Sequence, residues 1–295
     1  RFEEALLVLH TDGPHYMLMG NENLNKVASA RITAIPIHVP HFSLPNQPME
    51  CTENIQTLLA QAGISVGKQV GIVGWKQFTS SVEDNLQLFD IPYYITDSIK
   101  KLVGTAGSVK NASYIFIGEN GVRRVNNVNE IEHYEFGAAL AGDCVLAAMN
   151  LLDEGVKETD LGSTLNALGQ KNSVVTIAAS GKRFVKANLY PTENTVKTGD
   201  TISLTVGYKG GLSSRSGYAV KDPVQLPEDN ADYIDVVVKP YFNAYVTWLE
   251  TIRCGMNGGE MYEQIEKVMP KSQYHWSLCP GHLTADEEWL ASPIY

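Results

Sequence analysis

The sequence predicts a mixed α/β (α+β) protein of two domains, residues 1–126 and 127–295. Three observations lead to this prediction. A chain of 295 residues, 44% hydrophobic and 19% charged, can bury a large core and exceeds the usual size of one domain. Its first part alternates short apolar segments with short helical patterns. Its second part opens with a long helical pattern and continues into a hairpin of alternating residues.

The elements of residues 1–126 follow from local patterns. Strands are predicted in EALLVLH and HYMLMG, on either side of the turn-forming TDGP, and then in ARITAIPIHV, KQVGIVGW, IPYYITD and ASYIFIG. ENIQTLLAQAG has leucines at helical spacing and a terminal glycine, which predicts a helix, and SIKKLVG predicts a short one. We therefore expect a small α/β domain here.

Residues 127–295 begin with a predicted helix of about 20 residues that ends at Gly155. Alanines and glycines between its apolar residues would permit close packing on two sides. A second helix is expected in ETDLGSTLNALG from a capping threonine or aspartate, then a strand in NSVVTIAAS. Further helices are predicted around Pro240, which should kink or split the first of them, and in GGEMYEQIEKVMP.

The segment GDTISLTVGYKGGLSSRSGYAV, residues 199–220, predicts a β-hairpin that turns at Gly210 and Gly211. In that register Thr205 lies opposite Ser216. One face carries hydroxyl groups, and no carboxylate lies between Asp200 and Asp222. The hydroxyl face consists of Ser203, Thr205, Ser214, Ser216 and Tyr218, and the opposite, core face of Ile202, Leu204, Val206 and Tyr208. From these residues alone, the hydroxyl face is either a solvated surface or the lining of a polar cavity.

Composition excludes several classes of function. A net charge of −10 argues against nucleic acid or an anionic membrane as the main partner. No apolar stretch approaches the roughly 20 residues of a membrane span, and we expect no secretory signal. Four widely spaced cysteines predict reduced thiols and a cytoplasmic protein. Phosphate-binding, dinucleotide-binding and G-x-S-x-G motifs do not occur.

Four stretches between about Asn129 and Tyr295 resemble the creatinase/prolidase/aminopeptidase P family of pita-bread hydrolases. EIEHYEFGAALAGDCVLAAMNLLDEGVKETDL resembles the long helix and G-V-x-E-x-x-L step of its catalytic domain. ASGKRFVKANLYPTENTVKTGDTISLTVG is similar to its S-G, P-T and G-D stretch. The hairpin follows, and PGHLTADEEWLASPIY resembles its P-G-H segment. The resemblance implies a pita-bread domain over residues 127–295, preceded by the auxiliary domain, in a homodimeric Xaa-Pro peptidase-like hydrolase.

The same resemblance implies that the metal centre of the family is missing. Its peptidases hold two metal ions between five side chains, two of which are aspartates on such a hairpin. In this sequence Thr205 and Ser216 occupy those positions, and two neutral hydroxyls do not replace bridging carboxylates. We therefore expect no metal and no cofactor, and not an ordinary dinuclear peptidase. The last two glutamate ligands would lie beyond Tyr295, and a strand-like segment follows Arg1 directly, so we expect a chain incomplete at both ends.

The candidate site combines the hairpin with the P-G-H segment. His282 matches a metal-ligand histidine of the family and is our candidate general base or hydrogen-bond donor, with a structural histidine as the alternative. Glu287 and Glu288 would orient it or supply acid–base chemistry, unless they are merely exposed acids. The predicted ligand-binding residues are Asn188, which stands at the substrate histidine of the family, and Thr205, Ser214, Ser216 and Tyr218.

Two functions remain open at this point. One is metal-free hydrolysis of a C–N bond in a small peptide, amide or amidine. The other is a catalytically inactive relative that binds a peptide or small molecule in the former active-site cavity.

Overall fold

The computed structural model describes residues 3–47, 50–118, 120–276 and 279–281. The chain divides into two compact units, Arg1–Ser113 and Tyr114–Tyr295. Both units contain strands and helices, so the predicted mixed α/β class is confirmed.

The first unit holds two small sheets. Its elements, in chain order, are β1 (Ala5–Val8), β2 (His15–Met19), β3 (Ala34–His38), α1 (Ile55–Gln61), β4 (Gln69–Ile72), α2 (Tyr93–Val103) and β5 (Ser108–Asn111). Strand β2 pairs antiparallel with β1 and parallel with β3. Strands β4 and β5 form a parallel pair. Leu18, Phe42, Leu59 and Ile95 are among the fully buried side chains of the core of this unit.

Two strand predictions in the first unit are wrong. IPYYITD begins α2 instead, because Pro92 stands at its N-cap and Ile95, Ile99 and Val103 recur at helical spacing on the buried face. ASYIFIG is not a strand either, since strand β5 ends before it at Asn111. The Asn111 amide accepts a hydrogen bond from the Ser113 backbone N–H at 2.9 Å, and residues 113–115 form a 3₁₀ turn.

The second unit packs helices on an antiparallel sheet. Its elements are α3 (Val128–Leu151), α4 (Glu158–Thr164), β6 (Ile177–Ser180), α5 (Gly181–Val185), β7 (Thr201–Tyr208), β8 (Gly211–Tyr218), α6 (Lys239–Thr251), α7 (Gly258–Val268) and α8 (Lys271–Tyr274). The sheet order is β6-β7-β8. The predicted core face of the hairpin is confirmed: Leu204 and Val206 pack against Ala141, Val145 and their neighbours on α3.

Helix boundaries differ from the predicted ones where other segments supply the hydrogen bonds. A reciprocal capping box between Asn127 and Glu130 begins α3, which ends at Leu151 rather than Gly155. Helix α4 begins at Glu158 without a threonine or aspartate cap. The Glu158 backbone N–H instead donates to the Asn194 carbonyl at 2.9 Å, so a distant loop satisfies this end of the helix.

The prediction that Pro240 kinks or splits its helix meets a change of helix type. A π-helical turn, Ile234–Val238, runs directly into α6, and Val238 and Lys239 both have helical backbone angles, so the helix is not split. Pro240, which has no N–H to donate to the preceding turn, lies just after this junction. Helices α6 and α7 pack through Ala244, Met261 and Ile265.

The four cysteines are free, in agreement with the predicted reduced thiols. In the part of the chain that the structure describes, every helix is too short or too polar to cross a bilayer.

Candidate functional site

The hairpin turns one residue earlier than predicted. Tyr208 pairs with Gly211, so the turn consists of Lys209 and Gly210. Thr205 therefore lies opposite Ser214, and Ser216 lies opposite Ser203. The predicted pairing of Thr205 with Ser216 is wrong by two residues. Because the shift is an even number, every side chain keeps its predicted face.

Contact with α3 explains this register. Gly210 alone in the turn has a positive φ, 85°, so the turn does not need two left-handed residues. Both glycines lie directly against the helix: a Cβ on Gly211 would stand 2.3 Å from Cα of Ala138, and one on Gly210 would stand 2.1 Å from Cδ1 of Tyr134. Any residue with a side chain would collide there, so the helix selects the register that presents these glycines to it.

Four hydroxyls form two hydrogen-bonded pairs across the two strands, which we call the hydroxyl row: Ser203, Thr205, Ser214 and Ser216. The Thr205 and Ser214 oxygens lie 2.7 Å apart, and the Ser216 hydroxyl donates to Ser203 at 3.1 Å. The two members on β7 are buried, whereas the two on β8 are exposed. The hydroxyls of Ser203 and Thr205 are therefore hydrogen-bonded inside the protein, whereas Ser214 and Ser216 can still be reached by a ligand.

Neighbouring residues shape the two ends of the hydroxyl row. On the β6 side, Ile177 pairs with Thr205 and Ala179 with Ser203, so this border is apolar. At the end of β8, the Tyr218 and Tyr233 rings meet edge to face with centroids 4.9 Å apart. Burial, followed by the nearby Tyr218, raises the pKa of Tyr233, which keeps its hydroxyl protonated at neutral pH.

Asn188 lies beyond β6, one strand away from the row's residues on β7 and two strands away from those on β8. It follows α5 in an exposed loop, and the next residue, Leu189, accepts a hydrogen bond from Ala178 of β6 at 3.2 Å. Strands β6 and β7 thus intervene between Asn188 and Ser214. Of the predicted ligand-binding residues, the fold brings together those of the hairpin and leaves Asn188 at the opposite border of the sheet.

The three predicted catalytic residues, His282, Glu287 and Glu288, lie outside the described residues. Of the two residues that precede them, His275 is exposed at the C-terminal end of α8, and Trp276 packs against the neighbouring helices. The Trp276 indole N–H donates to the Met269 carbonyl at 2.8 Å, and its ring lies 5.2 Å from that of Tyr262.

Sequence reasoning missed a buried carboxylate, Glu158. Its side chain is fully buried and accepts six hydrogen bonds of 2.8–3.1 Å, three on each oxygen, from Ser180, Arg183, Thr192 and Asn194. Burial by itself would raise the pKa of Glu158, but the hydrogen bonds from the neighbouring backbone and side chains outweigh it, so the pKa lies below its usual value. The carboxylate is held as an anion.

Glu158 joins three of the motifs on which the family resemblance depends. It is the glutamate of the G-V-x-E-x-x-L step, Ser180 belongs to the S-G pair and Thr192 to the P-T pair. These donors enclose it between α4, the end of β6 and the loop that follows α5. The anion therefore stabilises the position of β6 beside β7. The glutamate of the G-V-x-E-x-x-L step is the sequence feature from which this buried carboxylate could have been predicted.

A second buried polar group lies on the core face of the hairpin. The Tyr208 hydroxyl donates to the Leu165 carbonyl at 3.0 Å and accepts from the Ala167 N–H at 2.9 Å. Burial, with the Cys144 thiol 3.6 Å away, raises the pKa of Tyr208 to about 12. Tyr208 therefore attaches the loop after α4 to the sheet as a neutral group.

Open clefts of about 470 and 410 Å³ occur in the first unit, on either side of Pro36 in β3. None of the predicted site residues lines them.

Solved structures with the same fold are known, although no family model matches the chain and no curated protein matches it. An Xaa-Pro dipeptidase from Bacillus anthracis is 14% identical and superposes with a TM-score of 0.65 over 98% of this chain and 79% of its own. A prolidase from Thermococcus sibiricus is 15% identical and superposes with a TM-score of 0.66 over 99% of this chain and 75% of its own. A dipeptidase from Pyrococcus horikoshii is 18% identical and superposes with a TM-score of 0.64 over 99% of this chain and 74% of its own. The chain therefore has the pita-bread fold of prolidases and Xaa-Pro dipeptidases over nearly its full length.

The hydroxyl row does not fit the pair of metal ions that the family resemblance implies. Neutral hydroxyls bound to one another lack the negative charge by which carboxylates bridge two dications. Within the described ranges, moreover, no group of three or more histidine, cysteine, aspartate or glutamate side chains is arranged to hold a metal ion.

Proposed function

We propose that this protein uses the prolidase fold to bind a small peptide or peptide-like amide at the hydroxyl row, without two-metal peptidase chemistry. One observation carries the proposal. The hairpin positions that resemble the metal-binding aspartates of the family hold Thr205 and Ser216, and both are engaged in hydroxyl pairs.

The chemistry of the hydroxyl row suits the uncharged amide groups of a ligand. Each serine or threonine hydroxyl offers one donor and two acceptor lone pairs, so a hydroxyl already bonded within the row can still bind an amide N–H or carbonyl. Ser214 and Ser216 are exposed and available for such contacts. Tyr218 and Tyr233 add an aromatic wall at one end.

Binding is tested by isothermal titration calorimetry with Gly-Pro, Ala-Pro and creatine as probes. We expect saturable binding of at least one probe, and a loss of about fivefold in affinity on Ser214→Ala, because one hydrogen bond is worth about 1 kcal/mol. Ser213→Ala is the matched control, since Ser213 is the neighbouring serine on the opposite face of β8. Equal effects of the two variants, or no binding of any probe, would contradict the proposal.

The metal part of the proposal has its own test. The purified chain is incubated with excess Mn²⁺, Co²⁺ or Zn²⁺, desalted and analysed by mass spectrometry of the metals. We expect less than one ion per chain. Two retained ions per chain would overturn the claim.

A second candidate is metal-free hydrolysis of a C–N bond, and the match of His282 to the P-G-H segment favours it. In this mechanism His282 acts as a general base that removes a proton from water or from the ligand. Turnover of dipeptides, guanidino acids or simple amides that falls at least a hundredfold in His282→Ala would support it. Turnover that is unchanged in that variant would contradict it.

A further inference from the structure

The larger cleft of the first unit, about 470 Å³, is lined by the 3₁₀ helix Leu24–Ser29, the loop that follows it and the start of β3. Its volume is in the range of small-molecule binding sites. Seven of its ten lining residues are apolar, and they include the buried Val27 and the half-buried Leu24. Apolar surface in a concavity of this size favours a ligand with an apolar body, because binding removes both apolar surfaces from water.

The polar side chains of this cleft carry one positive charge and no negative charge. They are Asn25, Arg31 and Thr33, and each of them can donate a hydrogen bond. Among the described residues, no carboxylate lies within ion-pair distance of Arg31, so its guanidinium is available to a ligand. A guanidinium binds a carboxylate through two parallel hydrogen bonds. One guanidinium balances the charge of a carboxylate, whereas a phosphate dianion would keep one charge unpaired.

The smaller cleft, about 410 Å³, has the opposite charge. It shares Pro36 with the larger cleft, but its lining includes the carboxylates of Glu50 and Glu53. These carboxylates repel an anion, since like charges at close range disfavour one another. A carboxylate ligand should therefore select the cleft that contains Arg31.

Pro36 argues against a peptide strand as the occupant of the larger cleft. Strand β3 lies at the edge of its sheet as far as the described residues show. The Val39 N–H donates to the Met19 carbonyl next to β2 at 2.9 Å, so the alternate residues Ile37 and Ile35 face β2 and Pro36 faces away from it. Because a proline has no N–H, it interrupts the donors of this open edge and hinders pairing with an added strand. A small molecule suits the cleft better.

We propose that this cleft binds a small monocarboxylic acid with an apolar body. The carboxylate pairs with Arg31, and the apolar body lies against Leu24, Val27 and Ile32. The cleft belongs to the first unit, whereas the hydroxyl row belongs to the second, so this site does not depend on the function proposed above.

Isothermal titration calorimetry of the full chain with octanoate tests the proposal. Octanol, which has the same chain length and no charge, is the matched ligand. We expect octanoate to bind with a dissociation constant below about 1 mM, and octanol to bind roughly fivefold more weakly, because an exposed ion pair contributes at most about that factor. Arg31→Gln should weaken octanoate binding by the same factor and leave octanol binding unchanged.

Lys26→Gln is the matched control for the lost charge. Lys26 is an exposed cation of the same 3₁₀ helix, and it is not among the residues that line the cleft. Its substitution should leave the affinity for octanoate unchanged. The proposal is overturned if octanoate does not saturate the chain, if the two ligands bind equally, or if Arg31→Gln lowers octanoate affinity no more than Lys26→Gln does.

A second pair of variants locates the apolar body of the ligand. Ala28 is exposed and lines the cleft, so Ala28→Phe should fill the cleft and lower the affinity for octanoate at least about tenfold. Ser29→Phe is the control, because Ser29 is the exposed neighbour that does not line the cleft. Circular dichroism of each variant checks that the chain still folds. Octanoate binding that is unchanged in a folded Ala28→Phe variant would place the ligand elsewhere and overturn the assignment to this cleft.

Discussion

Replacing Glu158 with glutamine tests whether a buried anion holds the sheet of the second unit in place. Six donors converge on the two carboxylate oxygens, three on each. In Glu158→Gln an NH₂ group replaces one oxygen, so three donors face another donor and Arg183 loses its counter-charge. Each hydrogen bond to a charged group is worth about 1.5–3 kcal/mol, and breaking a buried pair on one side costs about 3–5 kcal/mol. We take the latter range as the expected loss of stability.

The assay is thermal unfolding followed by circular dichroism. A domain of this size loses about 2–4 °C for each kcal/mol, so we expect the melting temperature of the second unit to fall by about 10 °C. Glu193→Gln is the control. Glu193 is an exposed acid of the same region whose carboxylate lies 2.7 Å from the Lys157 ammonium, and loss of this exposed ion pair should change the melting temperature little. Equal shifts in the two variants would refute the argument that the donors hold Glu158 as an anion.

The dependence on pH gives a second readout. Since the pKa of Glu158 is lower in the folded state than the ordinary value of 4.5, its contribution is fully present above that value and is lost as the pH falls through the lower, folded pKa. The stability difference between the wild type and Glu158→Gln should therefore be constant near neutrality and shrink below pH 4.5. A difference that does not change under acid would contradict the assigned ionisation.

Two further predictions concern the hairpin. Tyr208→Phe should lower stability by about 1–3 kcal/mol, since the Leu165 carbonyl loses its donor. Because the pKa of Tyr208 is raised to about 12, wild-type stability should decline as the pH rises from 10 to 12, and urea titrations should show a weaker decline in the variant. Gly211→Ala should lower the free energy of unfolding by about 1–3 kcal/mol in the same urea titrations, because the new Cβ would lie 2.3 Å from Cα of Ala138. Gly217→Ala is the control, since the atom nearest to a Cβ at that position is 3.6 Å away. A smaller loss for Gly211→Ala than for Gly217→Ala would refute the packing argument for the turn.

The faces of the hairpin could be predicted because alternation is a local property. Successive residues of a strand point to opposite sides whatever the partner strand does. Ser203, Thr205, Ser214 and Ser216 were therefore assigned correctly to one face. Their pairing was not, because the close contact between Gly211 and α3 selects the register, and nothing in the turn sequence encodes that contact.

The error at IPYYITD has a related cause. Isoleucine and tyrosine favour strands in a short window. The helical spacing of Ile95, Ile99 and Val103 emerges only over the whole of α2, and their burial depends on the sheet against which that helix packs.

By itself the sequence determined the class of fold, the element types of the second half, and a hairpin with one apolar and one hydroxyl face. These properties depend on spacing within ten or twenty residues and on the chemistry of single side chains. Only the tertiary structure decided that Thr205 pairs with Ser214, that Asn188 lies across the sheet from them, and that Glu158 gathers donors from three motifs. Such contacts join residues up to thirty-six positions apart, as between Glu158 and Asn194. Their geometry exists only once the helices have packed on the sheet.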